Sequence, residues 1–142
     1  KNWKKKGIIL NIGVATSFIN FKDLQLSNYD IDFLQYENNF YSNSDSLIEQ
    51  YPYTKHNYHS VLKYIPLIKS KQFSTSEIAG LLLNNAVRKN SSGGYVLFST
   101  TKKERLINNL IEFDKCNTLS LSELSNNIST LYNQNNLWQV KI

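Results

Sequence analysis

Several residue types that would point to a particular class of protein are scarce or absent. The chain has one cysteine, Cys116, among 142 residues, which excludes an intramolecular disulfide and a zinc site built from paired cysteines. No apolar run approaches the roughly 18 residues that a membrane-spanning helix requires. The sequence also lacks a phosphate-binding loop, a zinc-protease helix and a nucleophile elbow. We therefore expect no cofactor and no metal, and these absences favour a non-enzymatic protein over an enzyme without deciding between them.

Methionine is absent even at the first position, so we expect a processed product or a segment of a longer protein. With no disulfide framework, a reducing compartment such as the cytoplasm is favoured. The composition is that of a globular domain, with 41% hydrophobic and 13% aromatic residues. The formal net charge of +5 favours a polyanionic partner, although many proteins this basic bind no nucleic acid.

One pattern occurs twice in the second half of the chain. Residues 73–79 and 119–125 share the order apolar, Ser, any residue, Ser, Glu, apolar, small. In each copy the second residue is a Ser and the fifth is a Glu, the capping-box spacing that begins a helix. Four apolar residues upstream keep the same register in both copies: Val61, Tyr64, Ile65 and Leu67 align with Ile107, Leu110, Ile111 and Phe113. The repeat predicts two helix-turn-helix units, which often read nucleic acid.

The N-terminal region predicts β-structure. Residues 7–15 are mostly apolar and include β-branched side chains. Residues 29–33 alternate strictly between apolar and polar side chains, as in a half-buried strand. Residues 17–26 give a weaker strand signal. We expect a small antiparallel sheet within residues 1–45. The polar stretch 42–53 is the best candidate boundary, because the hydrophobic period changes there from 2 to 3.6.

The rest of the chain predicts helices with short strands. Helices are expected over residues 54–71, 78–89 and 102–114 and through Leu124, Ile128 and Leu131, with strands at 95–98 and 137–142. Helix, capped helix, turn and strand follow one another in that order in a winged helix-turn-helix. Residues 54–142 therefore resemble winged-helix domains in general. The second unit departs from that pattern, because its final turn has no glycine and only one strand follows.

The expected fold class is therefore α+β. A small N-terminal antiparallel sheet precedes two tandem winged helix-turn-helix-like units, over residues 54–100 and 101–142. The expected function is a non-enzymatic nucleic-acid-binding module of a larger regulatory or replication-type protein, with DNA as the favoured ligand.

The candidate nucleic-acid-binding residues divide into two groups. Cations that bracket the predicted wing are expected to hold phosphates: Arg88, Lys89, Lys102, Lys103 and Arg105. Asn84 and Asn85, on the predicted recognition helix, are expected nearest to the bases, because an asparagine amide pairs with adenine. The alternative interpretations are a solvated basic turn and a chain that is simply rich in asparagine.

Two other functions stay open. A protein-interaction or scaffold module would use an exposed aromatic patch in the N-terminal region: Tyr36, Phe40, Tyr41, Tyr51 and Tyr53. A small toxin-like ribonuclease would use His56 and His59 as acid and base, since their spacing places both on one side of a helix.

Paired carboxylates give a weaker signal for a metal site. Asp30 and Asp32 share one face of a predicted strand, where they would hold a magnesium ion or simply form a polar face.

Overall fold

The computed structural model describes residues 2–16, 30–41 and 49–135 of the chain. The elements in these ranges are, in chain order, α1 (Asn2–Lys5), β1 (Gly13–Thr16), β2 (Phe33–Glu37), β3 (Lys55–His59), a 3₁₀ turn (Ile65–Leu67), α2 (Thr75–Lys89), α3 (Lys103–Cys116) and α4 (Leu121–Gln134). The α+β class is confirmed. Among these helices, none combines the length and the apolar character that crossing a membrane requires.

The three strands form a parallel sheet in the order β1-β2-β3. Leu34 of β2 lies opposite Val14 of β1 and His56 of β3, and both pairings run in the same direction. The antiparallel sheet that the sequence predicted is therefore wrong. Alternation of apolar and polar side chains reports which face of a strand is buried. It carries no information on the direction of the neighbouring strand.

The N-terminal strands are shorter or shifted relative to the prediction. The strand expected at residues 7–15 is confined to Gly13–Thr16, because the chain turns after α1 with Gly7 at φ 68°. The strand expected at 29–33 begins at Phe33 and continues to Glu37. The strands expected at residues 17–26 and 137–142 lie outside the described residues.

The helix predicted over residues 54–71 is wrong. Residues Lys55–His59 form β3, and a turn and a single 3₁₀ turn follow. Val61, Ile65 and Ile68 are buried as their spacing suggested, but they reach the core from turns. The upstream part of the repeat therefore has no structural counterpart, and the first helix-turn-helix unit lacks its first helix.

The other three helices are confirmed, and two of them begin at the predicted capping boxes. The Ser74 hydroxyl accepts from the amide of Glu77 at 3.3 Å, and the Glu77 carboxylate accepts from the amide of Ser74 at 2.7 Å. Ser120 and Glu123 make the same pair of bonds at 3.2 and 2.8 Å. These bonds satisfy amides that a helix start leaves unpaired, which is why the helices begin there.

Helix α2 is the centre of the structure and contacts the 3₁₀ turn, α3 and α4. Its buried side chains share one core with Leu34 and Tyr36 of β2 and Tyr58 of β3. The approach of α3 depends on Gly80, where an added Cβ would lie 2.6 Å from the backbone carbon of Glu112. Leu124, Ile128 and Leu131 bring α4 into the same core.

The predicted wing strand does not form a hairpin. It lies along β3 in the parallel direction, with a single bridge between Tyr58 and Val96. The amide of Tyr58 donates to the carbonyl of Tyr95 at 2.8 Å, and the amide of Leu97 donates to the carbonyl of Tyr58 at 2.7 Å. A side chain at Gly94 would overlap the backbone of His56, so glycine permits this approach. The segment therefore covers the outer edge of β3 and directs residues 97–102 towards the carboxyl end of the sheet.

Candidate functional site

A cleft of about 900 Å³ opens where β3 ends. We call it the strand-end cleft. Its walls come from the turn after β3, the first turn of α2, residues 97–102 and the first turns of α3. Its charged and hydrogen-bonding lining residues include His59, Ser60, Lys63, Thr75, Ser76, Ser99, Thr100, Lys102, Glu104 and Arg105. In open parallel sheets, ligands bind beyond the carboxyl ends of the strands, which makes this cleft the leading candidate site.

Positive charge predominates in the cleft. Lys63, Lys102 and Arg105 line it together with one carboxylate, that of Glu104. Lys102 and Arg105 are exposed, and neither forms an ion pair with another residue of the described ranges. Their charges are therefore available to an anionic ligand.

Lys63 is held at the rim of the cleft. Its ammonium lies 4.9 Å from the centre of the Tyr64 ring and 3.1 Å from a carboxylate oxygen of Glu37. The hydrogen bond with Tyr64, and after it the bond with Glu37, raise the pKa of Lys63 above its ordinary value. Lys63 therefore stays protonated, although the nearby Glu37 carboxylate neutralises part of its positive charge.

Hydrogen-bond donors supplement the cations. Thr75 and Ser76 come from the first turn of α2, and Ser99 and Thr100 come from the segment that leads into α3. Lys102 occupies the N-cap position of α3 without a side-chain cap. The first amides of α3 therefore keep their partial positive charge, which adds to that of Lys102 and Arg105.

His59 and Ser60 close the end of β3. The Nδ1 atom of His59 and the hydroxyl of Ser60 are 2.8 Å apart. Ser60 has φ 61°, the one positive value outside glycine in the described part of the chain. A residue other than glycine holds this conformation at a cost of order 1–3 kcal/mol, and such strain concentrates at functional sites. Both residues of the pair line the strand-end cleft.

His56 has a different environment from His59. It is fully buried, with Nδ1 at 2.9 Å from the Tyr36 hydroxyl and Nε2 at 3.0 Å from the carbonyl of Tyr51. Burial lowers the pKa of His56, and this effect exceeds that of the Tyr51 carbonyl, which raises it. The neutral ring therefore donates through Nε2 to Tyr51 and accepts at Nδ1 from Tyr36. Side chains alternate between the two faces of a strand, so His56 and His59, three positions apart, lie on opposite faces of β3. The expected placement of both histidines on one side of a helix is therefore wrong.

The structure separates the predicted nucleic-acid-binding residues. Lys102 and Arg105 line the strand-end cleft, and Lys103 is exposed at the start of α3. Asn85 and Lys89 lie at a different crevice, of about 30 Å³. The basic stretch therefore does not form one continuous surface.

Arg88 has a structural partner within the fold. Its guanidinium donates to the carbonyls of Leu119 at 3.0 Å, Asn117 at 3.1 Å and Cys116 at 3.3 Å. These carbonyls lie at and just beyond the end of α3, where helical carbonyls lack partners and the helix dipole is negative. Arg88 thus connects α2 to α3, and it does not line the strand-end cleft.

Asn84 is buried, with 1% of its surface exposed. Its amide donates to the side-chain oxygen of Asn117 at 2.7 Å and to the carbonyl of Phe113 at 3.4 Å. The position predicted nearest to the bases is thus part of the contact between α2 and α3. The cause is the packing of α3 against this face of α2, which leaves no room for a ligand.

The carboxylate pair and the aromatic patch also have structural explanations. The Lys4 ammonium lies 2.8 Å from Asp32 and 3.4 Å from Asp30, and its hydrogen bond lowers the pKa of Asp32. Within the described ranges no three histidine, cysteine or acidic residues are grouped to hold a metal. Tyr36 and Phe40 are buried, so the five aromatic residues do not form one exposed patch.

Sequence reasoning missed His59, Ser60 and Lys63 as members of one site, because it placed them on a helix. The sequence of Lys55–His59 carries no strand signal, because four of its five residues are polar. The alternation of exposed and buried side chains in β3 arises only in the folded chain. Comparison with protein-family models, curated proteins and solved structures found no match to this chain.

Proposed function

We propose that this protein is a non-enzymatic nucleic-acid-binding module that holds a phosphate backbone in the strand-end cleft, with DNA as the expected ligand. One observation carries the proposal. Lys102 and Arg105, unpaired among the described residues, line the same cleft as the His59–Ser60 pair. The proposal does not require a winged helix-turn-helix, and the segment expected to form the wing pairs with β3 instead.

The chemistry of the cleft suits a phosphodiester. Non-specific affinity for nucleic acid comes mainly from lysine and arginine beside phosphates, and small hydroxyls add neutral hydrogen bonds. Arg105 supplies the planar donor group that binds a phosphate through two parallel bonds. Ser99 and Thr100 lie on the segment that connects α2 to α3, next to Lys102. Cations and hydroxyls thus come from neighbouring walls of one cleft.

The dimensions favour a strand over a duplex as the bound element. Pockets that hold small organic ligands measure about 300–1,000 Å³, and the strand-end cleft falls within that range. A volume of this size admits a short stretch of backbone with its bases, and a duplex would present only one of its strands to the cleft. We therefore expect single-stranded DNA to bind at least as tightly as duplex DNA of the same length.

The decisive experiment compares two double variants that lose the same charge. Lys102→Ala with Arg105→Ala removes two cations from the cleft, and Lys69→Ala with Lys71→Ala removes two exposed cations that do not line it. Labelled single-stranded DNA, duplex DNA and RNA are titrated with each protein from 50 to 300 mM salt. For single strands, each lost phosphate contact flattens the slope of log K against log salt by about 0.7. The cleft variant should therefore lose about 1.4 and the control close to zero.

Equal slopes for the two double variants would refute the cleft as the binding site. Absence of binding by the parent protein at 50 mM salt would refute the function itself. The same samples are inspected for cleaved RNA, because His59 lies in the cleft whereas His56 is buried. Cleavage that disappeared in His59→Ala would replace the binding module by the ribonuclease alternative.

A further inference from the structure

Helix α3 has an apolar side that the other residues of the described ranges leave uncovered. We define the α3 stripe as Leu106, Ile107, Leu110 and Ile111, which are 39%, 44%, 44% and 48% exposed. The opposite side of the same helix is buried, with Asn109 at 5% and Cys116 at 7%. Helix α3 therefore packs against α2 along one side only, and four large aliphatic side chains face solvent together.

Opposite charges lie at the two ends of this stripe. Lys103, Ile107, Leu110 and Asp114 follow one another at spacings of four, three and four residues, so they occupy one line along the helix. Lys103 and Asp114 are both exposed. They are 11 residues apart, which is about 16 Å along the axis. They are thus too far apart to pair with each other within one chain.

The apolar residues of the α3 stripe and the charged residues at its ends face complementary residues when the α3 helices of two copies lie antiparallel. A two-fold axis between positions 108 and 109 brings Leu106 opposite Ile111 and Ile107 opposite Leu110. The same axis brings each Lys103 opposite the second copy's Asp114. An interface between identical subunits around a two-fold axis must be self-complementary, and the α3 stripe meets this condition because aliphatic residues lie opposite aliphatic ones and each cation lies opposite a carboxylate.

We infer that the α3 stripe is the interface of a homodimer in which the two α3 helices pair antiparallel. The antiparallel arrangement also places each helix N-terminus beside the C-terminus of the second copy, so the helix dipoles attract. Four aliphatic side chains per copy make a contact well below the standard interface of about 1,600 Å². The dimer is therefore weak, and its population depends on protein concentration.

The homodimer does not depend on the nucleic-acid proposal. By helix periodicity Arg105 lies about 160° around the axis from Ile107, on the side of the strand-end cleft. Pairing through the α3 stripe therefore leaves Arg105 accessible, and it approaches the cleft at Glu104, which lies about 20° around the axis from Ile111. The self-association is measured without nucleic acid, so the two proposals fail or succeed separately.

Sedimentation velocity of the whole chain from 10 to 500 µM gives the first test. The parent protein should shift from monomer towards dimer over this range. Leu110→Glu places a carboxylate at the centre of the α3 stripe and should raise the dissociation constant by at least roughly tenfold. The matched control is Leu121→Glu, because Leu121 is 71% exposed on α4 and lies outside the stripe. The control should dimerise like the parent.

A charge exchange tests the antiparallel register. Lys103→Asp alone, or Asp114→Lys alone, converts two attractive pairs per dimer into two repulsive ones and should raise the dissociation constant roughly tenfold at low salt. The double variant should recover the parent value. Neither change threatens the fold, since an acidic residue is favourable at a helix start and a basic one at its end.

The proposal has two refuting outcomes. A parent protein that remains monomeric at 500 µM would exclude the homodimer and leave the α3 stripe to a different partner. A dimer that Leu110→Glu does not weaken, or a double charge variant no better than the singles, would show that self-association uses another surface.

Discussion

Replacement of Gly80 by alanine tests the contact that holds α2 against α3. Considered as a helix residue alone, this change should stabilise the protein, because alanine is favoured over glycine in a helix interior by about 1 kcal/mol. The structure predicts the opposite. The new methyl group would lie 2.6 Å from the Glu112 carbonyl carbon and 2.7 Å from its oxygen and its Cβ. Two of these three atoms are backbone, so a rotamer change cannot relieve the overlap.

The expected loss follows from the separation that the methyl group requires. Ordinary van der Waals contact with carbon begins near 3.5 Å, so α3 has to move by about 1 Å. Overpacking of this kind costs typically 1–3 kcal/mol. The movement also lengthens the hydrogen bond between Asn84 and Asn117, now 2.7 Å, which contributes about 1 kcal/mol. After subtraction of the alanine gain, Gly80→Ala should lower the free energy of unfolding by about 1–3 kcal/mol.

Urea denaturation followed by far-ultraviolet circular dichroism measures this difference. The control is Asn126→Ala on the exposed side of α4, which reports the gain from a better helix former at a position where the side chain faces solvent. That gain should be about 0.5 kcal/mol. If Gly80→Ala raised the midpoint as Asn126→Ala does, α2 and α3 would not be as close as described, and the account of the core would be wrong.

Two further predictions concern His56 and Ser120. Burial lowers the pKa of His56, so just below about pH 6.5 the histidine is protonated in the unfolded chain while it stays neutral in the folded one. The contribution of His56 to the free energy of unfolding should therefore be complete above about pH 6.5 and should fall as the pH drops below that value. Urea midpoints at pH 7.5 and 5.5 should differ for the parent and differ less for His56→Gln, and an equal difference in both would contradict the buried neutral ring. Ser120→Ala removes the acceptor of the Glu123 amide and should cost about 1 kcal/mol by the same assay, whereas Ser125→Ala within α4 should cost nothing; equal effects would disprove the cap.

Local features of the sequence were sufficient for three helices. The starts of α2 and α4 depend on hydrogen bonds between residues three positions apart, and apolar spacing along α3 and α4 is a property of the segment itself. The same reasoning failed for residues 54–71, where Val61, Ile65 and Ile68 have helical spacing. In that segment β3 pairs with β2 on one side, and on its other side the amide and the carbonyl of Tyr58 bond to Tyr95 and Leu97. Such bonds between distant residues outweigh a local preference, and no local pattern reports them.

The candidate site likewise contains residues that local sequence predicts and residues that only the tertiary structure brings together. Lys102 and Arg105 were recognisable from charge next to a predicted turn, since both lie at the start of a helix that the sequence predicts. Their association with His59 and Ser60 arises only because residues 95–97 lie parallel to β3, which brings the end of that strand to the start of α3. Asn84 shows the reverse case. Its helix was predictable, but packing decided which face α3 would cover, because burial depends on neighbours that are distant in the chain.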